Sequence, residues 1–228
     1  MVHCCKESFF ELFWAQQLQK IIRYLLHDLS NCLTGNLALS ELYCTKEREI
    51  SSEKIIIIRD NCYKEREILK QLSQLHHTSP GNVNYIDLQA FIEDLKPLVA
   101  RLLPAHTKFV FDDEISSEIL IKFDVALLQR IFLLTILLEA EIFENTSKPK
   151  LSIMASREGD RVSCQIESNA ILDLKTEDLT EITIDEVSLS RFFSTIVHFY
   201  MEKHRGGFSY NTTPDGKSII NLTFPIVE

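Results

Sequence analysis

The stretch Leu25-Leu26-His27-Asp28-Leu29-Ser30-Asn31-Cys32-Leu33-Thr34 decides how this chain is read. Its leucines fall at helical spacing, and its polar residues fall between them. Working outward, Leu18, Ile22, Leu25, Leu29, Cys32, Asn36, Leu39 and Tyr43 alternate in steps of four and three. Steps of that kind put one apolar seam along a helix. The seam predicts a single helix from about Glu7 to Tyr43, widened by Leu26, Leu33 and Leu37. An α-helix turns about 100° per residue, which puts His27 roughly opposite the seam. Arg23, Asn31 and Thr34 share its polar face, and Asp28 adjoins it. An imidazole turned to solvent beside a carboxylate is a nucleophile near neutral pH. A carboxylate on one ring nitrogen would fix the tautomer and leave the other nitrogen to attack phosphorus.

Periodicity gives way to charge near residues 45–52, and Ser51-Ser52-Glu53 offers a start signal for a second helix to about His76. Its predicted stripe is Ile55, Ile58, Cys62, Leu69 and Leu72, with Asn61, Ile68 and Leu75 alongside. Two consecutive helices with a short turn make an antiparallel hairpin. The apolar faces are wider than one pair can cover, so a homodimer closing a four-helix bundle is expected. Residues 78–82 (Thr-Ser-Pro-Gly-Asn) read as a linker. This divides the chain into 1–79, a dimerisation and phosphotransfer hairpin, and 80–228, an α/β domain.

The second part alternates. Strands are expected at Val83–Ile86 and Lys108–Asp112, and helices at Asp87–Leu103, Asp124–Phe143 and Val187–Lys203. Hairpins are expected around Glu158-Gly159-Asp160 and Pro214-Asp215-Gly216. The fold class is α+β: a helical hairpin, then helices on one face of a mixed sheet.

Composition excludes several functions. The 228 residues carry a formal net charge of −9, so no basic field exists to attract nucleic acid. No apolar run reaches the ~18 residues of a membrane span, and the N-terminus has no signal-peptide core, so a cytoplasmic protein is expected. The six cysteines form no CxxC pair and read as structural. The other histidines (3, 76, 77, 106, 198 and 204) read as ordinary.

The box from His27 to Thr34 resembles the phospho-acceptor box of sensor histidine kinases: a His, an acid, then Asn or Thr four residues on. His204-Arg205-Gly206-Gly207, between the last helix and last hairpin, is similar to the turn that closes the kinases' ATP-binding sandwich. The departures carry as much weight. The kinase helix matching Asp124–Phe143 bears asparagines for magnesium and nucleotide; here Thr135, Leu138 and Glu139 stand at those positions. The kinase adenine box has an Asp and glycines; here the matching stretch is Ile166-Glu167-Ser168-Asn169-Ala170-Ile171. No glycine occurs between Gly159 and Gly206, and residues 173–186 hold six acids against Lys175. Backbone that approaches phosphates needs glycine, and acids repel a triphosphate.

A phospho-acceptor hairpin on a degenerate ATPase-like domain resembles the histidine phosphotransferases of the ChpT type. That resemblance implies relay of a phosphoryl group through His27 between receiver-domain aspartates. Asp28 and Asn31 would assist, with Arg23 and Thr34 as phosphate or partner contacts. The implied partners are response-regulator receiver domains and a hybrid histidine kinase. No tightly bound cofactor is expected, and magnesium would come from the receiver. The alternatives are a non-catalytic dimeric scaffold that binds a response regulator and an ATP-dependent histidine kinase.

Overall fold

The computed structural model describes residues 2–46, 51–76, 81–112, 119–171, 174 and 189–226. The acidic stretch 173–186, Leu174 apart, lies outside them. The chain forms two compact units, Trp14–Ser79 and Pro80–Glu228, the latter joined by Met1–Phe13.

The first unit is a helical hairpin. Helix α1 spans Val2–Lys46 and helix α2 spans Ser52–His76. The helix start read at Ser51-Ser52 is the observed one: the Ser51 carbonyl accepts from Lys54 N–H and Ile55 N–H at 3.0 and 3.2 Å. On α1 the seam faces inward, with Ile21 and Leu25 buried and Leu18, Ile22, Leu29, Cys32, Asn36, Leu39 and Tyr43 half-buried. Asn36 crosses to α2, accepting from Asn61 and donating to Glu65 Oε1, each at 3.0 Å. Gly35 lies beside this contact, where an added Cβ would stand 3.5 Å from the Asn61 amide.

Two expectations are corrected here. Leu26, Leu33 and Leu37 do not widen the seam; they are 50%, 51% and 60% exposed. They fall at i, i+7 and i+11, a stripe beside the seam rather than on it. On α2 the buried positions are Ile68, Gln71 and Leu75, whereas Ile55, Cys62 and Leu69, the heptad-spaced positions, are exposed.

The second unit is an α/β sandwich. Its elements are β1 (Val83–Asp87), α3 (Leu88–Leu102), β2 (Lys108–Asp112), β3 (Leu120–Asp124), α4 (Val125–Phe143), β4 (Lys150–Glu158), β5 (Arg161–Ser168), α5 (Leu189–Lys203), β6 (Gly207–Thr212) and β7 (Ser218–Pro225). The main sheet has the order β2-β4-β5-β7-β6, and β1 pairs with β3 separately. β2 runs parallel to β4 while the other neighbours are antiparallel, so the sheet is mixed, as expected. Strand β3 is an element that the sequence reading omitted. Its signal is short: Ile121 and Phe123 are buried between exposed Leu120 and Lys122.

Alternation along β4, β5 and β7 sends Leu151, Ile153, Val162, Cys164, Ile166, Ile220, Leu222 and Phe224 to one covered face. The continuously apolar α4 is buried from Ala126 through Glu139, which is why its sequence lacks a polar stripe. Asp124 caps it by accepting from Leu127 N–H at 3.1 Å, and Asp87 caps α3 through Gln89 and Ala90 N–H.

The first residues of α1 belong with this unit, whereas the sequence reading placed 1–79 together. Phe10 is buried with its ring 4.3 Å from that of Tyr200, and Glu11 pairs with buried Arg130 at 2.5 Å. After α5, Arg205 adopts a left-handed φ of 59° and Gly206 N–H returns to the Met201 carbonyl at 2.7 Å. Gly206 is required there by space: an added Cβ would lie 2.9 Å from the Thr223 carbonyl.

Candidate functional site

His27 stands on the α1 face opposite the buried seam, with its side chain 73% exposed. The helix places Arg23, Asn31 and Thr34 at i−4, i+4 and i+7, so all four lie on one solvent face. All are exposed, and Asp28 is half-buried beside them. The geometry unites two of these side chains with the ring. The Asn31 amide meets His27 Nδ1 at 3.3 Å, and Asp28 Oδ1 lies 3.6 Å from the same nitrogen. The second distance is too long for a hydrogen bond and acts through charge. The ring-orienting hydrogen bond expected of Asp28 is therefore made by Asn31.

Both groups converge on Nδ1, so the tautomer depends on which end of the Asn31 amide faces it. An Asn amide can present either its oxygen or its nitrogen. A carboxylate facing Nδ1 favours a proton there. As placed, the amide nitrogen faces Nδ1, which then accepts; with the amide turned over, Nδ1–H donates to its oxygen and Nε2 carries the lone pair. An imidazole held at one nitrogen and open at the other can attack phosphorus in line.

The same face carries exposed apolar side chains. Tyr24 is 55% exposed, and the Leu26, Leu33 and Leu37 stripe runs alongside.

In the sandwich, the three positions that resemble nucleotide-binding asparagines all point into the core. Thr135, Leu138 and Glu139 have 0%, 1% and 0% of their surface exposed. The Thr135 hydroxyl donates to the Ile131 carbonyl at 2.8 Å, within its own helix. Burial raises the Glu139 carboxyl to about 7, with the Ser168 hydroxyl offsetting part of the effect. The sequence reading noted Glu139 as a replacement but gave no sign of this burial. Burial likewise pushes the Cys164 thiol up to about 12, an inert side chain in the core.

Among the described residues no cluster of His, Cys, Asp and Glu could hold a metal ion, and no helix is long and apolar enough to cross a membrane.

No protein-family model matches the chain, and no curated protein matches it. Solved structures do resemble it. A histidine kinase from Burkholderia phymatum is 12% identical and covers 94% of this chain and 98% of its own, with a TM-score of 0.49. The Acinetobacter baumannii histidine kinase AdeS is 15% identical, covering 89% of this chain and 98% of its own, with a TM-score of 0.46. Full-length ShkA in complex with AMPPNP is 10% identical, covering 90% of this chain and 46% of its own, with a TM-score of 0.49.

Proposed function

We propose that this chain is a histidine phosphotransferase that carries a phosphoryl group on His27 between receiver-domain aspartates. The observation that supports the reading is the exposed ring of His27, whose Nδ1 is engaged by Asn31 and faced by Asp28. In the forward step Nε2 attacks the phosphorus of a receiver's aspartyl phosphate. The P–N bond forms as the P–O bond to the aspartate breaks, and the released electron pair returns to that carboxylate. The step uses the tautomer in which the Asn31 amide turns its oxygen to Nδ1–H; that proton stays on the ring, where the Asp28 carboxylate offsets the cation that develops. The second receiver reverses the step. Catalysis of this kind asks chiefly for alignment and charge neutralisation, so magnesium held by the receiver suffices on the far side.

On this reading the sandwich binds no nucleotide. The buried Glu139 supports that view, since a carboxyl sealed in the core neither ligates magnesium nor reaches a phosphate. A homodimer belongs to the same proposal. The Leu26, Leu33 and Leu37 stripe on α1 and the Ile55 and Leu69 positions on α2 are surfaces that a second hairpin would cover.

The test is incubation with a receiver domain carrying labelled aspartyl phosphate. Label should move to the wild type in acid-labile form and should not move to His27→Ala. Equal labelling of His27→Ala would overturn the assignment. A receiver that binds without transferring label to either protein would identify a scaffold instead, and incorporation from ATP alone would identify a kinase.

A further inference from the structure

A second feature lies on the sandwich, on the sheet face turned away from the helices. The buried residues of β4 and β5 alternate with Ser152, Met154, Gln165 and Glu167, which therefore share the opposite face. Val110 pairs with Ser152, and Ser152 with Glu167, so these three form a row across β2, β4 and β5. At the end of that row is a cavity of about 260 Å³ lined by Lys108, Lys150 and Lys217 with Ser152, Asn169 and Glu167.

The lysines are not placed as ordinary surface charges. Lys108 and Lys150 are direct cross-strand partners on the parallel β2–β4 pair. Like charges directly opposite each other in a sheet repel. Lys217 is held against Glu167 at 2.8 Å, and Asp215 lies 3.7 Å from it. Among the described residues Lys108 and Lys150 have no ion-pair partner. Asn169 shapes the rim: its carbonyl oxygen accepts from Lys150 N–H at 2.7 Å and its amide donates to the Lys148 carbonyl at 3.2 Å. Three ammonium groups against Glu167 and the nearby Asp215 leave an excess of one positive charge in one cleft of a chain with net charge −9. Val110 supplies an apolar wall, which strengthens the local field.

We propose that this cleft is a binding site for a small dianion of the phosphate class, seated between the Lys108 and Lys150 ammonium groups. The anion relieves their repulsion and accepts from the Ser152 hydroxyl. The site is separate from His27 and does not depend on phosphotransfer.

Inorganic phosphate is the probe, titrated into the full chain without any receiver at constant ionic strength. The amide resonances of Ser152 and Asn169 should shift saturably. Lys150→Gln and, independently, Lys108→Gln should each weaken binding by about fivefold or more, as expected for loss of one close charge. Both positions are exposed, so both variants should fold. Lys70→Gln on α2 should leave binding unchanged. Acetate, a monoanion, should bind at least about tenfold more weakly, since it meets the paired ammonium groups with half the charge. Absence of saturation in the wild type, wild-type affinity in both lysine variants, or acetate binding as tightly as phosphate would each overturn the site.

Discussion

At His27, one helical turn joins the reactive group to the residue that orients it. Asn31 follows by four positions, and its amide reaches Nδ1 at 3.3 Å. A solvent-exposed hydrogen bond contributes about 1 kcal/mol, which sets the size of the effect. Asn31→Ala should slow transfer to His27 by about two- to tenfold while His27→Ala abolishes it, as single-turnover label transfer would measure. Glu139 poses a different residue-scale question. Its carboxyl titrates near 7 in the fold against 4.5 as a free group. The folded protein thus binds more protons than the unfolded chain between those values. With respect to this group, stability should be fully present below about pH 4.5, fall as pH rises through 7, and change little above it. The ionised group would cost about 3 kcal/mol at high pH. Glu139→Gln should remove that slope, and urea unfolding of both proteins from pH 5 to 8 would reveal it.

At the scale of elements, the hairpin holds a polar contact in its seam. Asn36 bonds to both Asn61 and Glu65 across the helices. Replacing it by Leu leaves two polar partners without their cross-helix bonds, and should cost about 1–3 kcal/mol in urea unfolding. The exposed stripe raises a separate expectation. Leu33→Lys with Leu37→Lys should convert a dimer to a monomer in sedimentation, without loss of helix by circular dichroism, because both side chains already face outward. A wild type that sediments as a monomer at every concentration would remove the dimer from the proposal. The limits of sequence are visible in the same helix. Its length, its seam and the outward placing of His27 all follow from a repeat near 3.6 residues. Whether Leu26, Leu33 and Leu37 are covered does not, because a leucine one step round the helix looks the same whether it meets a neighbour or water.

For the whole molecule, the first thirteen residues group with the sandwich although they begin the hairpin's helix. Phe10 fills a buried place against Tyr200, and Glu11 pairs with Arg130. Phe10→Ala should lower sandwich stability by about 3–5 kcal/mol through the cavity it leaves, measured by urea unfolding. A loss below about 1 kcal/mol would show that these residues do not hold the fold. Such a contact joins positions more than a hundred residues apart, and no local pattern announces it.

The sequence alone determined the order and kind of most elements, the mixed sheet under its helices, and the presentation of His27. These depend on local periodicity, caps and turn residues, which act between near neighbours. Tertiary structure alone decided that Glu139 is sealed in the core, that Asn31 rather than Asp28 hydrogen-bonds the ring, and that Lys108 and Lys150 stand side by side. Those facts depend on side-chain placement and on the register of strands distant in sequence, and only the folded chain sets both.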